Sequence, residues 1–127
     1  MLAAVLSFVQ AIPNRAVALE EDGRYTAGFR VPLRVLADDG GDCDSKAVLL
    51  ACLWRCLSRS PMALISVPSH MLVAVAVPRP AGAVISIHAR EYVLMEVSTD
   101  LPLPPGKIRP YSAKAILSGR VRYKLID

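Results

Sequence analysis

The segment Cys43 to Leu57, CDSKAVLLACLWRCL, constrains this chain more than any other. Ala47, Leu50, Ala51 and Trp54 recur at helical spacing, and Val48, Leu49, Cys52, Leu53, Cys56 and Leu57 fill much of the remaining circumference. A helix that is apolar almost all round has no wet face, so it must lie inside a domain with other elements wrapped about it. Asp42 supplies an N-cap acceptor, Gly40 and Gly41 let the chain turn sharply into the helix, and Ser58 to Pro61 end it. At 127 residues the chain has the size of one ordinary domain, 1–127, built around that helix.

The flanks read differently on either side. Leu2, Val5, Leu6 and Val9 predict an amphipathic helix from about Leu2 to Ala11, stopped by Pro13. The same residues lack the basic start of a signal peptide. From Asn14 to Asp42 there is little periodicity: two turn signals, around Asp22-Gly23 and Asp39-Gly40, bracket a stretch at Val31 to Leu36 with room for one short turn. A loop of that length is expected to cover something or to be functional. After Pro61 the period becomes that of strands: Met62 to Val67, His70 to Val77, Val84 to His88 and Tyr92 to Val97, with His88 to Glu91 as a hairpin connection. Leu101 to Gly106 is a proline-rich turn. In the tail, Val121, Tyr123 and Leu125 alternate with Arg120, Arg122 and Lys124, which predicts an edge strand with one wet face. Helices first and antiparallel strands after predict an α+β fold.

Composition narrows the function. With 54% hydrophobic and 20% charged residues the chain is not disordered. The excess charge, 15 − 11 = +4, is too small and scattered for a nucleic-acid surface, so no nucleic acid is expected as partner. The late basic residues (Lys107, Arg109, Lys114, Arg120, Arg122 and Lys124) read as a wet strand face, with an anionic partner as the alternative. No apolar run reaches the roughly 18 residues of a membrane span. Three cysteines are an odd number, which argues against a disulfide framework and for a reducing, cytoplasmic setting. A mean hydropathy of +0.40 predicts apolar surface covered by a second copy or a partner domain. Cys52 and Cys56 share a helix face and, with His70 or His88, invite a zinc site; no second ligand pair supports one, so both are expected to be core and no metal is expected. His88, beside Arg90 and Glu91, reads as a solvated histidine.

Chemistry concentrates at Gly41-Asp42-Cys43-Asp44-Ser45-Lys46-Ala47. Backbone amides at a helix start stabilise a thiolate at Cys43; Asp42 and Asp44 oppose this, Lys46 offsets them, and the sum has no sign at this level. The bland alternative is an inert buried thiol. His70 opens an apolar strand, and Glu96 lies near the end of another, where a buried charge needs a partner. In chain order they supply a nucleophile, a base and an orienting carboxylate, the set that thiol catalysis requires.

The run Gly-Asp-Cys-x-x-Lys-Ala-x-x-Leu resembles the nucleophile motif of the transglutaminase-like cysteine hydrolase superfamily, whose core is papain-like. Phe8-Val9-Gln10-x-Ile12-Pro13, Pro32-Leu33-x-x-Leu36 and Glu96-Val97-Ser98-Thr99 resemble its bacterial members, so the likeness runs from about residue 8 to 108. It implies a central helix starting at the nucleophile and packed on an antiparallel sheet. Cys43 would be nucleophile, His70 general base and acid, Glu96 the orienting carboxylate, and Gln10 an oxyanion donor beside the Cys43 N–H. The implied activity is acyl transfer on an amide or peptide bond of a peptide or protein substrate, by hydrolysis in preference to cross-linking, with no cofactor. Ser45 stands where many relatives have an acid and Ser69 where a Gly is common. These departures support the alternative of an inactive domain kept for binding or assembly.

Overall fold

The computed structural model describes residues 1–21 and 23–126. In chain order the elements are α1 (Leu2–Ala11), β1 (Glu20–Glu21), β2 (Arg24–Tyr25), α2 (Pro32–Asp38), α3 (Cys43–Leu57), β3 (Met62–Val67), β4 (His70–Val75), β5 (Val84–Ile87), β6 (Arg90–Glu96), α4 (Pro110–Leu117) and β7 (Arg122–Ile126). The fold is α+β. A five-stranded sheet in the order β5-β6-β4-β3-β7 has antiparallel neighbours throughout, and α3 packs on it.

Helix α3 begins where its cap dictates: the Asp42 side chain accepts the Ser45 N–H at 3.0 Å. Gly41 lies against Val35 and Ser45, and a Cβ there would come within 3.2 Å of the Val35 side chain. The helix buries Ala47, Leu49, Leu50, Ala51 and Trp54 against α1 and the sheet, with Leu6, Val9, Val73, Val75 and Met95 as neighbours in one core. The opposite face of the sheet carries a second core of Ala63, Ile65, Leu72, Leu94 and Tyr92, closed by Ala115 and Ile116 of α4. The sheet curls over this second core. His88, at the turn between β5 and β6, meets Tyr123 of β7 edge to face, with ring centroids 6.1 Å apart and the hydroxyl 3.2 Å from Nε2.

Several expectations are corrected. The segment 14–42 is not one loop with a single turn: it holds a two-residue hairpin, β1 and β2, and the seven-residue α2. Pro32 presets the first helical φ of α2, and its end at Asp39 is left-handed, φ 50°. The segment covers the start of α3, with the Arg30 N–H on Ser45 Oγ at 2.8 Å and the Arg30 guanidinium on Gly40 O and Glu21. Helix α4 has no counterpart in the periodicity. The hairpin after β5 is tighter than read: His88 and Ala89 alone make the turn, both at positive φ, and Arg90 and Glu91 already belong to β6.

Cys52 and Cys56 are exposed rather than core, because α1 and the sheet cover only part of the α3 circumference. Phe8 and Leu57 are likewise more than half exposed. Strand β7 is exposed on both faces up to the half-buried Ile126: Tyr123 and Leu125, expected inside, stay exposed. No helix among the described residues is long and apolar enough to cross a membrane.

Candidate active site

Register decides what meets what. Leu72 of β4 pairs with Glu96 of β6, and Val67 of β3 pairs with His70, so His70 and Glu96 lie on the same face as Leu72 and Val67, the face that α4 covers. There His70 Nε2 lies 2.6 Å from Glu96 Oε1, with the Glu96 side chain fully buried and that of His70 nearly so. The second carboxylate oxygen is held by the Arg109 N–H at 3.0 Å and the Ser112 hydroxyl at 2.7 Å, both at the start of α4. Burial alone would raise the Glu96 pKa. The hydrogen bonds from His70, Arg109 and Ser112 outweigh it, and the carboxyl lies below its ordinary value. An ionised Glu96 accepts only, so Nε2 carries the proton in neutral imidazole and the lone pair sits on Nδ1. Nδ1 has no hydrogen-bond partner among the described residues.

Cys43 opens α3, which packs on the face of the sheet opposite α4. The backbone amide of Met71, one residue from His70, favours the thiolate electrostatically, and the Cys43 thiol donates to Asp44 Oδ1 at 3.4 Å. Among the described residues no hydrogen bond joins the sulfur to the imidazole. Burial, then the neighbouring Asp44 charge, push the thiol up to about 11, with Asp42 adding to the rise and the Met71 amide opposing it. The sign that sequence left open is therefore positive. Lys46 does not offset the acids because it points inward: Nζ donates to Ile12 O and Asn14 Oδ1, each at 2.7 Å, in a fully buried position. Burial lowers its own pKa to about 8.

The first amides of α3 divide into used and unused. Ser45 N–H goes to Asp42 Oδ1 and Lys46 N–H to Asp42 O, leaving those of Cys43 and Asp44 without an acceptor among the described residues. Gln10 is corrected as an oxyanion donor. Both protons of its Nε2 are committed, to Glu96 O and Leu103 O at 2.8 Å each, and its Oε1 accepts the Leu103 N–H at 3.2 Å. It is a buried clamp that ties α1 to the end of β6 and to the proline-rich turn.

No protein-family model, curated protein or solved structure matches this chain. The site therefore rests on its own geometry.

Sequence reasoning missed Ser112, the Arg109 amide and Asn14. The first two belong to α4, which carries no periodic signal. Asn14 sits in an aperiodic segment, bridged to Gly41, and its Oδ1 also accepts from Ser98 at 2.9 Å. The one available hint was Pro110, a common first residue of a helix, with Ser112 in the turn that follows. Among the described residues no three His, Cys, Asp or Glu side chains gather as metal ligands.

Proposed function

We propose that this domain is a transglutaminase-like thiol enzyme with a papain-like core that hydrolyses an amide or peptide bond of a peptide or protein. Cys43 is the nucleophile, His70 the general base and acid, and Glu96 the group that fixes the imidazole. The observation that carries this reading is the 2.6 Å bond from His70 Nε2 to buried Glu96, which fixes the imidazole and leaves its Nδ1 lone pair free to take a proton. With the resting thiol protonated, its proton passes to Nδ1 as sulfur attacks the carbonyl carbon. The oxygen that becomes negative is met by the unused amides of Cys43 and Asp44. When the C–N bond breaks, His70 returns the proton to the departing amine and a thioester to Cys43 remains. Water, deprotonated by His70, then releases the acid and restores the thiol.

A small activated ester such as p-nitrophenyl acetate tests the first half. With Cys52→Ser and Cys56→Ser removing the two exposed thiols, intact-mass analysis should find one acetyl group, and peptide mapping should locate it on Cys43; adding His70→Ala should lose it with the fold retained. The high Cys43 pKa and the Asp44 hydrogen bond favour a second reading, an inactive domain of the same architecture used for binding or assembly. A folded protein that takes no acyl group on Cys43 across the pH range would establish that second reading over the first.

A further inference from the structure

We infer that the open edge of β7 is a docking site for an extended acidic peptide, taken up as a sixth strand. β7 is a terminal strand of the sheet and pairs with β3 alone: Arg122 lies opposite Ser66, Lys124 opposite Leu64 and Ile126 opposite Met62. Its backbone groups that do not bond to β3 form a row that another extended chain fits, with the Ile126 carbonyl at the end already accepting from the Arg55 guanidinium at 3.4 Å. Arg122, Lys124 and Ile126 share one face of the strand, the face on which Leu64 and Ile126 pack toward α3. At the start of the strand is a cavity of about 460 Å³ lined by Ser66, Pro68, Arg120 and Arg122. At its end is an apolar cavity of about 420 Å³ lined by Val48, Ala51, Leu64 and Ile126. A strand laid along this edge sets alternate side chains beside Arg122, Lys124 and Ile126. The fitting pattern is two acidic residues and one apolar residue, each two apart.

Charge selects the occupant. From Leu101 to Ile126 the chain carries Lys107, Arg109, Lys114, Arg120, Arg122 and Lys124 and no Asp or Glu. None of the six is in an ion pair among the described residues. The same charges oppose a second copy, since two β7 edges paired about Lys124 would set the two lysines opposite each other. A nucleic acid would satisfy the cations but neither the backbone edge nor the apolar cavity. This surface is independent of the chemistry proposed for Cys43.

The test is fluorescence anisotropy with a short labelled peptide of alternating Glu and Thr that ends in Val. Binding should weaken as salt rises. It should fall by at least about tenfold when Gln replaces Glu in the peptide, when the peptide backbone is N-methylated, and in an Arg122→Glu/Lys124→Glu protein. Hydrogen exchange on the wild-type protein should show added protection confined to β7 and its neighbours. Because the two peptide changes are read on the wild-type protein, they decide the matter even if the double variant fails to fold. An N-methylated peptide that binds equally well, a single-stranded oligonucleotide that competes as strongly as the peptide, or no binding at low salt would each overturn the inference.

Discussion

At Cys43 two local influences of opposite sign act on one sulfur. The helix start favours a thiolate, yet partial burial and Asp44 win, because the carboxylate adjoins the sulfur while the dipole acts through amides spread over a turn. Iodoacetamide at neutral pH should therefore label the exposed Cys52 and Cys56 ahead of Cys43, and Cys43 labelling should climb toward pH 11; Asp44→Asn should bring that rise to lower pH. Peptide mapping of each cysteine over a pH series reads both effects. Lys46 makes a second prediction. Its pKa is about 8 in the fold against an ordinary 10.5, so between those values the unfolded chain holds more protons than the native one and stability climbs with pH. Below pH 8 the cost of the buried charge is present in full. Glu96, whose pKa is lowered, acts at the acid end: its contribution is complete above the ordinary carboxylate value and lost as pH falls through its folded value. Cys43, raised from 9.0 to about 11, acts with the opposite sign above pH 9, so thermal melts should show the wild-type rise between about pH 8 and 9 and its loss in Lys46→Met.

Among the elements, α3 was legible because its apolar character is carried by consecutive turns and needs no knowledge of partners. α4 was not. Eight residues, PYSAKAIL, carry too few apolar positions for a period, and the helix owes its place to Ala115 and Ile116 under the curled sheet. That placement brings Ser112 to Glu96. Ser112→Ala should cost about 1.5–3 kcal/mol, since it removes a hydrogen bond to a buried charged group. It should also shift the His70 ring resonances in NMR, with Ser112→Thr restoring them. The proline-rich turn before α4 has its own constraint. Gly106 sits at φ 86°, and a Cβ there would fall 2.4 Å from Ala81 O. Gly106→Ala should lose at least about 1 kcal/mol in urea denaturation, the strain of positive φ adding to the clash.

Across the whole molecule, two cores use opposite faces of the same strands, β3, β4 and β6, so neither core stands without the sheet. Leu50→Ala, on the α3 side, and Leu72→Ala, on the α4 side, should each lower stability by about 2–5 kcal/mol while leaving one cooperative transition. Separate transitions by tryptophan fluorescence, which reports Trp54, and by circular dichroism would show that the faces melt independently. By itself the order of residues determined what periodicity can carry: a buried helix from Cys43, strands from Met62 onward, a capping Asp42, and a histidine and a glutamate out of place in apolar strands. These are local properties, set by spacing along the chain. Only the tertiary structure decided that His70 and Glu96 touch, that Gln10 spends its amide on two carbonyls, that Cys52 and Cys56 face outward, and that the Cys43 proton is held tightly. Each of those depends on which distant segment lies alongside, and the covering of a surface, unlike its period, is written in no single stretch of sequence.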